Sequence, residues 1–294
     1  MRALPHRVDP GTPSAPLREA DGAGGARHEL AQFLASRRAR LSPEAVGLAG
    51  GRRRRVAGLR REEVAVLAHV SETWYTRLER GQPINASPEV LANIADALRL
   101  DEHEREYLFL LATSAADSTR TAAVTLPGAL QQLLDQLQFA PSVVYGPRWD
   151  VLMWNRAYAL VFGDLRDATE LERNVLHQLL LDPTRRALFP EWETIARRVV
   201  EAFRLDAARH TGDPSFAALT AYLHERSPEF RAWWSEYRVW QQPEGQKLVD
   251  HPIAGRLLLD HVAFTIPDSG DALLLTYTAR PGSPTERALA ELLR

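Results

Sequence analysis

The chemistry of this chain is densest between Arg60 and Gly81, in RREEVAVLAHVSETWYTRLERG. Val64, Leu67, Val70, Tyr75 and Leu78 recur at the spacing of inward helical faces, which leaves Glu72, Thr73, Thr76 and Arg77 on an outer face behind Ser71. Those outward side chains suit a base edge. An arginine offers two donors to guanine O6 and N7, a glutamate accepts from cytosine N4, and a threonine meets a base edge or a thymine methyl. Arg61 opens the preceding helix, where a free helix N-terminus favours phosphate. Upstream, Arg52, Arg53, Arg54 and Arg55 would neutralise further phosphates and make binding salt-dependent. Ser71, which caps the outward helix, completes the candidate DNA contacts.

The elements that must position these groups are short helices. Leu30, Phe33 and Leu34 share a face from Glu29 onward, and Ser42-Pro43-Glu44 carries an N-cap serine followed by proline at the first helical position, before a basic, Gly-interrupted loop from Gly47 to Gly58. Arg61–Ala68 is a helix, His69-Val70 a turn, Ser71–Arg80 the outward helix, and Gly81 its stop. Ser87-Pro88 opens another helix, and Asp101 with Glu104 forms a capping-box-like pair at the start of the next. Five short helices, the second and third joined by a tight turn, describe a helix-turn-helix domain. Its second paired helix enters the major groove.

Charge agrees. The net charge is −2, yet from Arg27 to Arg61 the only acids are Glu29 and Glu44, a basic block on an otherwise acidic chain. The segment Glu63-Val64-Ala65, Val70-Ser71 and Leu78-Glu79-Arg80-Gly81 resembles the Xre/phage-repressor helix-turn-helix. The longer run Gly58 to Ala65 with Trp74 to Gly81 resembles the MmyB-like subgroup of actinobacterial regulators, which carries the same basic insertion. By position, Arg61, Glu72, Thr73 and Arg77 match the Xre base-contacting pattern.

The second half reads differently. Ser142–Gly146 and Val151–Trp154 flank a Gly-Pro turn and suggest a hairpin. Asn155–Phe162, Asn174–Leu181, Trp192–His210, Phe216–His224, Phe230–Val239 and Pro284–Leu293 read as helices. Arg256–Ile266 and Ala272–Ala279 form a second hairpin around Pro267-Asp268-Ser269-Gly270. The expected architecture is thus two-domain: an all-α, five-helix, lambda-repressor-like head, then an α+β PAS-like domain with an antiparallel sheet. The expected boundaries are a disordered tail 1–26, the head 27–114, a linker 115–127 and the second domain 128–294.

That second domain resembles the MmyB-like ligand-binding domain, through Pro141–Val144, Trp149–Asn155, Arg173-Asn174, Ser227–Phe230 with Trp233, His251-Pro252 and Tyr277–Ala279. The resemblance implies a pocket for a small apolar molecule, and a fatty acid is what the family suggests. Met153, Phe162, Trp192, Phe203, Trp233 and Phe264 are candidate walls. Arg173, Asn174 and His177 lie near one helical start and are candidates for a carboxylate head group.

Other classes find little support. The chain has no cysteine. It shows no HExxH spacing, nucleophile elbow or phosphate-gripping glycine loop. The expectation is a non-enzyme with no metal or cofactor, cytoplasmic, without signal peptide or membrane span. Its partners would be double-stranded DNA, an apolar effector and a second copy, since paired half-sites ask for a homodimer. The alternative is a ligand-binding or enzymatic protein whose helical domain docks another protein.

Overall fold

The computed structural model describes residues 22–49, 56, 58–114, 124–240 and 244–294. The basic run Arg52 to Arg55, most of the expected tail and most of the expected linker lie outside the described residues.

The head opens with α1, Gly22–Arg40, which starts before the Glu29 expected from periodicity and takes up the end of the expected tail. A 3-10 turn at Glu44–Val46 stands where Ser42-Pro43 predicted a longer helix. Then come α2 (Arg61–Leu67), α3 (Glu72–Leu78), α4 (Pro88–Ala97) and α5 (Glu102–Ser114). Side-chain caps set the boundaries. The Ser71 hydroxyl accepts from Trp74 N and the Ser87 hydroxyl from Val90 N, while Asp101 and Glu104 bond each other's backbone amides reciprocally. Gly81 takes φ +68° past the end of α3, a conformation that favours glycine. Gly58 serves close approach: a Cβ there would stand 2.4 Å from the Ala39 carbonyl oxygen of α1. Phe33, Leu34, Leu59, Val64, Tyr75, Ile94 and Leu108 are fully buried among these helices.

The second domain opens with α6 (Leu130–Gln136), unforeseen in the sequence. Strands β1 (Ser142–Tyr145) and β2 (Val151–Trp154) form the expected hairpin. Six helices follow: α7 (Arg156–Phe162), α8 (Val175–Leu181), α9 (Pro183–Ala187), α10 (Trp192–Arg209), α11 (Pro214–Arg226) and α12 (Pro228–Trp234). Strands β3 (Glu244–His251), β4 (Gly255–Thr265) and β5 (Leu273–Thr278) and helix α13 (Pro284–Leu292) close the chain. The sheet is antiparallel throughout, in the order β2-β1-β5-β4-β3. Strand β3 escaped prediction because EGQKLVDH has few β-branched residues; pairing along its whole length with β4 holds it.

Alternation sorts the sheet into two faces. Val143, Tyr145, Leu257, Leu259 and Tyr277 face the helical layer and share its core with Phe162, Phe203, Phe230 and Trp233. On the other face Val144 packs with Leu130 and Leu134 of α6, and Met153 and Leu274 lie against them.

Candidate nucleic-acid interface and ligand cavity

Helix α3 turns Tyr75 and Leu78 into the head core and leaves Glu72, Thr73 and Arg77 exposed and Thr76 half-exposed. Helix α2 is locked against it by a buried carboxylate. Glu79, its side chain fully buried, accepts two hydrogen bonds from Arg38 at 2.8 and 2.6 Å and one from Arg61 at 3.1 Å. Arg38 also donates to the Leu59 carbonyl at 2.8 Å, so the guanidinium ties α1, the strap before α2 and the end of α3 together. Arg61 is thereby anchored at one nitrogen while its side chain stays 41% exposed. Arg77 Nε rests on the Gln82 side-chain oxygen at 3.0 Å, on the surface. Ser71 is exposed, with its oxygen engaged as the cap of α3. These six candidate residues therefore lie on or beside one edge of the head.

The ligand candidates of the second domain do not converge in the same way. Phe162 and His177 line one cavity of about 610 Å³ between α7, α8 and α9, with Val161, Leu181, Leu188 and Arg185. Phe203 and Trp233 belong to the core. Trp192 packs on Trp233 and donates its indole N–H to the Leu179 carbonyl. Met153 and Phe264 stand on the opposite face of the sheet, where Phe264 is 52% exposed. Two polar candidates are consumed by the fold. Asn174 caps α8, accepting from Leu176 N and His177 N, and donates to the Arg148 carbonyl and the Asp150 carboxylate, so every polar valence of its amide is used. Arg173 donates to the carbonyls of Leu165 and Arg166 and lies over the Trp154 ring. Adjacency in sequence put these residues near one another, but capping and loop closure claim them.

The structure instead shows cations that the sequence reading passed over. Arg185 is 7% exposed, and among the described residues its guanidinium makes one hydrogen bond, a 3.4 Å contact with the Gly163 carbonyl, while its backbone N–H donates to the Asp182 carboxylate that caps α9. Its guanidinium acts on the hydroxyls of Tyr145, Tyr158 and Tyr277. From the sheet side, Lys247 approaches the same cluster, donating to the Tyr277 hydroxyl at 3.1 Å and facing the rings of Phe189 and Tyr277. No carboxylate pairs with either cation among the described residues, and burial pushes the Lys247 ammonium down to about 8. His261, opposite Tyr277 on β4, is pushed down to about 4 by burial and then by Lys247. His177 is lowered by burial, and its Nδ1 has no hydrogen-bond partner among the described residues. Lys247 is the one lysine of the chain, and its inward orientation follows from strand β3.

Among the described residues there is no cluster of His, Cys, Asp or Glu able to hold a metal ion, and no helix long and apolar enough to cross a membrane. Comparison with known proteins yields two family matches. A helix-turn-helix domain profile matches residues 29–108. The profile of the MmyB-like transcription regulator ligand binding domain matches residues 126–293. No curated protein matches the chain. The second profile spans more than half of the chain, and the chain belongs to the MmyB-like transcription regulators, DNA-binding helix-turn-helix proteins with a ligand-sensing domain.

Proposed function

We propose that α3 lies in the major groove of double-stranded DNA, with Glu72, Thr73, Thr76 and Arg77 toward base edges and Arg61 and Ser71 toward phosphate. In this reading Arg52 to Arg55 neutralise further phosphates, and two copies of the chain read paired half-sites. The carrying observation is the exposed row Glu72, Thr73 and Arg77 on a helix whose other face is fully committed to the core.

For the sensor we propose an apolar molecule with an acidic head group; a fatty acid fits that description and is the class the family resemblance suggests. Supporting it is the cavity of about 610 Å³, a common size for small-molecule sites, with Phe162, Leu181 and Leu188 as apolar wall and Arg185 as a buried cation whose guanidinium no carboxylate pairs among the described residues, although Asp164, Glu172 and Asp182 also line the cavity. Thermal melting with sodium decanoate, decanol and decyl phosphate tests this. The reading predicts that both anions raise the melting temperature more than decanol, and that Arg185→Leu removes the difference. Equal shifts from all three would leave an apolar pocket without an anion site. No shift from any of them, with a lipid-free solvent extract of the purified protein, would contradict the reading.

A further inference from the structure

The head and the sensor share a helix. On α10, Ala196, Val200 and Phe203 belong to the sensor core, whereas Leu205 and Ala208 belong to the core of the head, joined there by Val239 from beyond α12. Between the two sets stands Arg204, the largest fully buried side chain among the described residues. Its guanidinium lies 4.0 Å from the centre of the Trp234 ring and 4.8 Å from that of Tyr237. It donates to the Glu29 carboxylate of α1 and to the Trp234 carbonyl. The same Glu29 oxygen accepts from the Tyr107 hydroxyl of α5 at 2.7 Å. One sensor arginine thus bonds the first helix of the head directly and reaches the last through the shared Glu29 oxygen.

Lesser contacts surround it. Arg37 of α1 donates to the Tyr237 carbonyl, the Ser36 hydroxyl to the Glu236 carbonyl at 3.2 Å, and Arg209 of α10 to Glu106 of α5 at 2.7 Å. All of these bonds reach the head through α1 and α5, so α2 and α3 stay free. An apolar seam would hold two domains together with less directional demand. A buried guanidinium with a carboxylate, a carbonyl and two rings around it fixes one arrangement, because every alternative leaves charge unpaired. Beside the clamp the seam is not filled: a cleft of about 1230 Å³ runs between the domains, lined by Glu29, Tyr107, Arg204, Phe216 and Trp234. Movement of α10 therefore meets open space on one side.

We propose that Arg204 is the positioning residue that couples the sensor to the reading head, and that α10 is the element through which sensor occupancy alters DNA affinity. The coupling rests on the functional reading above for its output. Its physical basis is on both sides of the helix: Phe203, next to Arg204, stacks on Phe216 at 5.7 Å and touches Trp234, so a rearranged sensor core displaces the clamp.

Calorimetry on the full chain tests this, with and without a duplex selected from a random DNA pool. Coupled domains unfold in one transition, and the duplex, which touches only the head, raises that whole transition. In the double variant Glu29→Gln/Arg204→Met, where neither partner leaves a buried charge, the endotherm should split, and the duplex should raise only the head's part. Tryptophan fluorescence separates the parts, because Trp74 alone of the seven tryptophans lies in the head. Two independent transitions in the wild type would overturn the proposal. So would a variant that still melts in one transition moved as a whole by the duplex. Should the double variant not fold, Glu29→Gln alone keeps the shape and a hydrogen bond for Tyr107, and is expected to broaden or split the endotherm; an unchanged single transition there overturns the proposal equally. A duplex that shifts nothing in any protein counts against DNA reading, and the number of transitions then still decides the coupling.

Discussion

Glu79 in the head is a buried charge and Lys247 in the sensor a half-buried residue with a desolvated ammonium, and the two are treated in opposite ways. Glu79 is held by two arginines, Arg38 and Arg61, at hydrogen-bonding distance. Lys247 has a tyrosine hydroxyl and two aromatic rings, and Arg185 nearby has one long bond to a carbonyl. The buried carboxylate of the head thus has its counter-charges within the fold. The sensor keeps a surplus of buried positive charge, and a core that tolerates that cost is suited to receive an anion.

Removing one side of a complete arrangement should do the most damage. Glu79→Ala leaves Arg38 buried without its acid, and we expect about 3–5 kcal/mol lost in denaturant unfolding of the head. The opposite sign is expected in the sensor. Lys247→Met should raise stability by about 1–3 kcal/mol at pH 7, because a desolvated ammonium is replaced by an apolar chain of similar length. The ammonium titrates at about 8 when folded and near 10.5 otherwise, so across that window the unfolded chain binds more protons and wild-type stability rises with pH. The gain from Lys247→Met should therefore be full below pH 8 and vanish above 10.5. A loss of stability at pH 7 would erase the contrast. His261 adds an acid limb: its pKa falls from 6.5 to about 4, so stability should drop as pH falls through that range, and His261→Gln should flatten the drop.

Smaller effects sharpen the picture of the head. Ser71→Ala removes the cap of α3 and should cost about 1 kcal/mol in thermal unfolding. Tyr75→Phe removes a buried hydroxyl that lies beside the Glu79 carboxylate and makes no hydrogen bond of good geometry among the described residues, and should change stability by no more than about 1 kcal/mol.

The head was the more legible half. Ser71, Ser87, Asp101 with Glu104 and Gly81 are local signals, each acting within a few residues, and each does in the structure what its type and spacing imply. The sensor's hairpins and long helices were legible for the same reason. Its site was not. Arg185, Lys247 and Tyr277 come from α9, β3 and β5, and only the register of an edge strand with little β-branched character brings them near one another. Arg173 and Asn174 misled because neighbouring residues were read as a site, whereas one closes a loop and the other caps a helix. Arg204 gave no signal, since an arginine among apolar residues on a long helix is ordinarily at the rim of a face.

The most direct measurement follows fluorescence anisotropy of a duplex selected from a random DNA pool, for the full chain and for Arg77→Ala, across a salt series. A steep log–log salt dependence is expected for both, with Arg77→Ala losing about 1–3 kcal/mol on the selected duplex and little on random DNA if α3 reads base edges. Equal binding by the two proteins on the selected duplex, with affinity indifferent to salt, would contradict it.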